Sequence, residues 1–291
     1  MLEKSNFFFP TIPKPSYQPQ SRDTNIESDI DFFQKWRQLS LKQRIERFIS
    51  HERGVKKLCL VGIKSRHRNS TIQEIRDIFI HAVLGEKFTA DFQPKGINEN
   101  MWIQDSISLA GELHQLFESI NIDYYVSGGV ASSIHGEPRS TRDLDLVIEV
   151  KPNQIDLLVK TLEASGYYCP AGAVEDLQRG LGNMLNITHT ETIANADIYI
   201  TNNSPFAISQ MQRRILVNLD EIPSFWIASA EDIILQKLHW GKGSKSEKQW
   251  RDVLGIIKLQ ADNLDYGYLT EWAENLDLVV DFSEILTQAG I

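Results

Sequence analysis

Cysteine is almost missing from this chain. Only Cys59 and Cys169 are present. Each sits in an apolar setting, which argues against a disulfide or a cysteine metal ligand and reads as a buried free thiol. Long apolar runs are missing as well: none approaches the roughly 20 residues that span a bilayer. Phe7-Phe8-Phe9 is followed at once by Pro10, Pro13 and Pro15, so no signal-peptide core forms there. Positive charge is in deficit, with 30 Lys and Arg against 39 Asp and Glu and a net charge of −9. That balance argues against a whole-surface, non-specific grip on nucleic acid and leaves room for a local basic groove. The remaining composition is that of a soluble globular protein, and 291 residues hold two domains of ordinary size. A cytoplasmic protein with no membrane association is expected.

One stretch carries chemistry. Tyr124-Tyr125-Val126-Ser127-Gly128-Gly129 reads as a strand running into a glycine turn, and Asp143-Leu144-Asp145-Leu146 as a second strand. Asp143 and Asp145 are two apart and leave one face of that strand, while Leu144, Leu146 and Ile148 enter a core. Two carboxylates this close repel unless a cation lies between them. Mg²⁺ is the hard cation that takes one or two carboxylates and completes its shell with water and substrate phosphates. Gly128 and Gly129 let the backbone approach a ligand closely, and the helix that follows points N–H groups at an anion. A phosphate cradle beside a metal-binding carboxylate pair is a site for nucleotidyl transfer.

Ser127-Gly128-Gly129, a gap of about a dozen residues, and then Asp143-Leu144-Asp145-Leu146 resemble the signature of the DNA polymerase β-like nucleotidyltransferase superfamily. The resemblance covers residues 121–259. It implies an α+β fold, with a small mixed β-sheet of the nucleotidyltransferase type flanked by helices, an N-terminal helical extension and C-terminal helices. It also implies a third carboxylate on a neighbouring strand. Asp197, an acid in the apolar run Ala196-Asp197-Ile198-Tyr199-Ile200, takes that place, since a buried unpaired carboxylate is otherwise costly. The run from Ala228 through Lys237 to Asp252 is similar to the second half of AbiEii-type nucleotidyltransferases. That likeness assigns Lys237, Lys248 and Asp252 to the nucleotide.

The implied activity is transfer of a nucleoside monophosphate from an NTP to a hydroxyl acceptor. Asp143, Asp145 and Asp197 are the catalytic and metal-binding set, holding two Mg²⁺ ions. Ser127, Gly128, Gly129 and Arg142 bind the nucleotide with Lys237, Lys248 and Asp252. RNA or tRNA is the favoured acceptor, with an antitoxin protein as partner, because AbiEii-like relatives act as toxins of toxin–antitoxin pairs. A small hydroxylated acceptor, as in antibiotic nucleotidyltransferases, is the alternative. A non-catalytic nucleotide-binding protein of the same fold is the rival from another class.

Along the chain, residues 1–28 read as a disordered arm rich in Pro, Ser and Gln, with Phe7 to Phe9 and Tyr17 able to dock. Residues 29–100 form a helical region. Its helices are expected at 31–39, after Ser40, and after a capping box read as Ser70-Thr71-Ile72-Gln73. A basic stretch between them (Arg53, Lys56, Lys57, Lys64, Arg66, His67 and Arg68) offers a surface to a polyanion. A linker over 86–100 separates this region from a catalytic domain over 101–228. That domain opens on an amphipathic helix at 105–120 with Ile107, Ala110, Leu113, Phe117 and Ile120 on one stripe. Arg139 or Arg142 can reach a triphosphate or pair with a local carboxylate. Asn153 is expected to cap a core helix, 167–182 to be irregular, and 185–201 to form a hairpin. Helical residues 229–291 complete the site, with Lys248 and Asp252 four apart on one helix face.

Overall fold

The computed structural model describes residues 14–85, 89–242 and 246–291. Phe7 to Phe9, the start of the expected linker and the middle of the spacer after Gly241 lie outside the described residues. The strands are β1 (Asp123–Val126), β2 (Leu144–Glu149), β3 (Tyr167–Tyr168), β4 (Met184–His189), β5 (Asn195–Ile200), β6 (Ile215–Leu219) and β7 (Ile222–Ile227). The helices are α1 (Ile26–Arg37), α2 (Leu41–Arg66), α3 (Ile72–Leu84), α4 (Ser106–Ser119), α5 (Gly128–His135), α6 (Ile155–Ala164), α7 (Ala171–Gln178), α8 (Pro205–Arg213), α9 (Ala230–Gly241), α10 (Glu247–Gln260), α11 (Tyr266–Asn275) and α12 (Val279–Ala289). They gather into two compact units, each discontinuous in sequence. One takes the chain up to Ile45 with Ala131–Arg139 and Ala228–Ile291; the other takes Glu46–Val130 and Ser140–Ile227.

The second unit holds the whole sheet, in the order β3-β4-β5-β2-β1-β7-β6. Pairing is mixed: β2 runs parallel to β5 and β1 parallel to β7, and the other neighbours are antiparallel. The α+β class with a mixed sheet flanked by helices, expected from the sequence, is the one observed. β2 alternates as its sequence demands, with Leu144, Leu146 and Ile148 fully buried. α4 begins at its Asp105 cap and lays Ile107, Ala110, Leu113 and Phe117 into the core against β7 and β1. Gly111 on this helix lets Pro223 approach, since a Cβ there would meet the Pro223 ring at 2.2 Å.

Several local expectations give way here. The basic stretch does not lie between helices. From Arg53 to Arg66 it is the second half of the single long helix α2. Gly54 and Gly62 are tolerated inside that helix because Leu60 and Ile63 anchor it on Phe79, Ile80 and Trp102. The expected linker lies inside one compact unit with the segments on both sides of it: Phe92 is buried and the Lys95 N–H donates to the Thr190 carbonyl at 2.7 Å. Asn153 lies within a short 3-10 turn rather than at a helix cap. The stretch expected to be irregular contains β3 and α7.

The first unit is helical. α9 and α10 pack on each other through Ile233, Ile234, Val253, Ile256 and Ile257, with α11 and α12 closing over them. From residue 14 onward the expected arm is held in place. Tyr17 is buried, and its hydroxyl donates to Asp29 at 2.5 Å. The fully buried Lys258 ammonium donates to the same carboxylate at 2.7 Å and to the Gln18 carbonyl at 2.5 Å. Those bonds satisfy a charge pair that would be costly to bury alone. Among the described residues no helix is long and apolar enough to cross a membrane.

Candidate active site

The glycine turn and the acidic strand meet in the second unit. The Ser127 N–H donates to the Asp145 carbonyl at 2.8 Å, extending the β1–β2 ladder by one bond. Gly128 then takes φ +55°, and a Cβ there would fall 1.9 Å from Oδ2 of Asp145. The Gly129 N–H donates to that same Oδ2 at 3.1 Å. So the second carboxylate of the Asp-Leu-Asp run lies in the glycine turn, against the first turn of α5. A side chain at position 128 would close this approach. In the structure Asp145 itself occupies one N–H of the expected phosphate cradle.

Asp197 stands next to it. β5 pairs with β2 so that Asp145 and Asp197 are register partners, on strands about 4.8 Å apart. On the other side of β5 the register partner is Asn186, whose Nδ2 donates to Oδ1 of Asp197 at 2.6 Å. Asn195 in turn donates to Oδ1 of Asn186 at 3.2 Å and to the Ile187 carbonyl at 3.0 Å. A polar row therefore crosses the sheet through Asn186, Asp197, Asp145 and the Ser127 turn, with apolar residues before and after it on each strand. Asp143 precedes β2 and is half-buried. The ammonium of Lys56 feels its charge: burial lowers the Lys56 pKa, while Glu52, Asp105 and Asp143 pull it back up. Arg142 is exposed.

The other expected residues belong to the first unit. Lys237 is buried, with Nζ 2.8 Å from Oδ2 of Asp252 and donating at 2.8 Å to Oε1 of Gln249. Arg139 grips Asp252 with two parallel bonds, Nε to Oδ1 and Nη2 to Oδ2, each 2.7 Å. Burial pushes the Asp252 carboxyl upward, but Arg139 and Lys237 together outweigh it and hold it below the usual range. The carboxylate is thus held by Arg139 and Lys237, not by Lys248. A bidentate guanidinium and a buried ammonium outcompete an exposed lysine one helical turn away. Lys248 is exposed and lines an open cleft of about 920 Å³ with Arg139, Arg251, Asp252 and Trp250.

Sequence reasoning missed Asn186, Lys56 and the Arg139–Asp252 fork. Asn186 stands out only as a polar residue between Leu185 and Ile187, and its link to Asp197 needs the register. Arg139 and Asp252 are 113 residues apart, which no local pattern connects.

No protein-family model matches the chain, and no curated protein matches it. Among solved structures, an antigenic nucleotidyltransferase-like protein from Paracoccidioides brasiliensis is similar over 63% of this chain and 92% of that one, at 20% identity and a TM-score of 0.41. The lincosamide antibiotic adenylyltransferase LnuA, with lincomycin bound, is similar over 51% of this chain and 94% of that one, at 14% identity and a TM-score of 0.33.

Proposed function

We propose that this chain is a Mg²⁺-dependent nucleotidyltransferase that moves a nucleoside monophosphate from an NTP to a hydroxyl of RNA, tRNA first among the candidates, with pyrophosphate as the leaving group. The observation that carries the reading is the seat of Asp145: its carboxylate lies in the glycine turn and is the register partner of Asp197. The donor set fits the cation. All its atoms are hard carboxylate oxygens, and two of the carboxylates share one row of the sheet. Among the described residues no group of three His, Cys, Asp or Glu could hold a metal ion by itself. Mg²⁺ needs only one or two carboxylates when triphosphate oxygens and water supply the rest. Asp143, Asp145 and Asp197 would hold it. Bound there, it neutralises phosphate charge and stabilises the attacking and leaving oxygens of an in-line displacement.

The chain's own groups do the remaining work. Ser127, Gly128 and Gly129 receive the phosphates, where a phosphate oxygen competes with Asp145 for the Gly129 N–H. Asp197, held on one oxygen by Asn186, is the base toward the acceptor hydroxyl. The family resemblance assigns Lys237, Lys248 and Asp252 to the nucleotide, and Arg142 is assigned to it by its charge, which suits a triphosphate. RNA as acceptor is supported by Lys57, Arg66, His67 and Arg68, all exposed at the basic end of α2. An antitoxin partner rests on the AbiEii resemblance alone.

The test mixes the purified chain, Mg²⁺ and each α-³²P-labelled NTP with total tRNA, beside an Asp143→Ala variant whose circular dichroism matches the wild type. Label should reach RNA with the wild type alone. Transfer by the folded variant at the wild-type rate overturns the carboxylate assignment. Label on an added aminoglycoside or lincosamide, with none on RNA, overturns the RNA acceptor and keeps the chemistry.

A further inference from the structure

β4 and β5 put Leu185, Ile187, Ala196 and Ile198 on one face of the sheet, all of them buried. On the other face, where Asp145 and Asp197 are register partners, the same strands place Asn186 and Asn195. Strands disfavour asparagine, yet Asn195 is buried and Asn186 half-buried. Two exceptions side by side, next to a carboxylate, point to a site rather than to the scaffold. Asn195 has a fixed orientation. Its Nδ2 donates to the Ile187 carbonyl at 3.0 Å and to the Thr188 hydroxyl at 3.1 Å, and a carbonyl can only accept. Asn186 lies head to tail on it: Asn195 Nδ2 donates to Oδ1 of Asn186 at 3.2 Å, and Asn186 Nδ2 to Oδ1 of Asn195 at 3.4 Å. Turning the Asn186 amide over would set nitrogen against nitrogen and oxygen against oxygen. Asn186 therefore presents its N–H group to Asp197, with Nδ2 2.6 Å from Oδ1. A bond of that length to a buried carboxylate fixes the rotation of the side chain as well as one of its oxygens.

We propose that Asn186 is a positioning residue for the transfer reaction: oriented by Asn195, it holds the Asp197 carboxylate in the orientation that receives the divalent cation. This role rests on the nucleotidyl-transfer reading of the site. Carboxylates that bind metal ions are themselves held by outer hydrogen bonds, and losing such a partner costs about 10- to 100-fold in metal affinity or activity. An amide suits the task because it donates without bringing a charge. A lysine or arginine in its place would hold Asp197 as firmly but would repel the cation. A carboxylate in its place would repel Asp197. The apolar residues that a strand prefers would leave Asp197 free to rotate.

The test titrates the full chain with Mn²⁺, followed by electron paramagnetic resonance, and runs the ³²P transfer assay at saturating Mg²⁺ beside it. Asn186→Leu keeps a branched side chain and removes the donor. Asn186→Ala, too short to reach Asp197, is the second variant should the first fail to fold. Circular dichroism and melting curves establish that a variant is folded. Each folded variant should bind Mn²⁺ about tenfold or more weakly and lose about 10- to 100-fold in kcat. KM for the NTP should stay within about threefold, because the glycine turn that receives the phosphates is untouched. Wild-type Mn²⁺ affinity in a folded variant overturns the role of Asn186, as does a loss that falls on KM alone. A wild type that neither binds Mn²⁺ nor transfers label to any acceptor overturns the nucleotidyl-transfer reading, and the role of Asn186 with it. A wild type that does both, beside folded variants that match it, overturns the role of Asn186 alone.

Discussion

At Gly128 one methyl group decides the geometry of the site. The residue has φ +55°, a region costing an L-residue about 1–2 kcal/mol, and its missing Cβ would sit 1.9 Å from Asp145. Gly128→Ala is therefore expected to lower stability by about 2 kcal/mol or more and to abolish transfer, because Asp145 must leave the turn. Urea unfolding beside the ³²P assay reads both. Gly172, in α7 with open space around it and no positive φ, is the control. There, Ala should stabilise by about 0.5–1 kcal/mol. Asp252 offers a second prediction at this scale. Asp252→Asn strands the buried Lys237 ammonium without its counter-charge, at a cost of about 3–5 kcal/mol. In the wild type the folded carboxyl titrates below its unfolded value of 3.8. The stability it supplies is complete above about pH 4 and disappears as pH falls through the folded value. A ΔG of unfolding near pH 7 that differs by less than 1 kcal/mol between wild type and Asp252→Asn would count against a stabilising triad.

Among elements, α2 and the start of α4 make the clearest case, because one stretch of α2 clamps the beginning of the other helix. The Glu52 carboxylate accepts from the Ser106 N–H at 2.8 Å and the Ser106 hydroxyl at 3.0 Å. Arg53 Nε donates to Asp105 at 2.7 Å, and Lys56 Nζ donates to the Gln104 carbonyl at 2.5 Å. Asp105 is also the N-cap of α4, accepting from the Ile107 and Ser108 N–H groups. Four members of the basic stretch, Arg53, Lys56, Lys64 and Arg68, are thus engaged within the chain, Lys64 through Glu99 and Arg68 through the Ser65 carbonyl. Only its exposed remainder faces outward for a polyanion. Glu52→Ala leaves a buried N–H and hydroxyl of Ser106 unpaired, at about 2–3 kcal/mol. Hydrogen exchange should show the first turn of α4 opening before the sheet does. Unchanged protection of that turn would show that the clamp contributes nothing.

What the sequence made legible at this scale follows from periodicity. α4, α6, α9 and α10 carry apolar stripes or caps that local pattern reads directly, and β2 and β5 alternate around their acids. α7 buries only Leu177, so no stripe marks it. α2 contains two glycines and a run of charge, so its continuity depends on packing rather than propensity. In the candidate site the glycine turn and the Asp143–Asp145 pair stood out as residue types at set spacings, and Asp197 entered through the family resemblance. The pairing of Asp145 with Asp197 needed the register of β2 on β5, and the Arg139–Asp252 fork needed the fold.

Over the whole molecule, discontinuous units mean that a side chain's protonation is set by segments far from it in sequence. His135 shows the consequence. It lies in the first unit, buried, with Nε2 2.8 Å from the Ala228 carbonyl. Burial pulls its pKa from 6.5 down to about 4; the hydrogen bond to Ala228 opposes this, and the charge of Arg44 adds to it. In the unfolded chain the ring takes a proton near pH 6.5, but in the folded chain it stays neutral to about pH 4. Between those values the unfolded state binds the extra proton, so stability falls as pH falls. From pH 7 to pH 5 the loss from this one ring is about 2 kcal/mol. Glu52 works in the opposite direction, because burial raises its pKa, but it is common to wild type and any His135 variant. His135→Gln keeps a side-chain N–H for the Ala228 carbonyl and removes the titration. Its urea-unfolding free energy should therefore decline less on acidification, with the gap to wild type closing by about 2 kcal/mol between pH 7 and pH 5. Parallel curves for the two chains would mean that His135 takes up its proton in the folded state near pH 6.5. In that case the ring would not be held neutral by its burial, and the acid sensitivity of the molecule would have to come from its carboxylates.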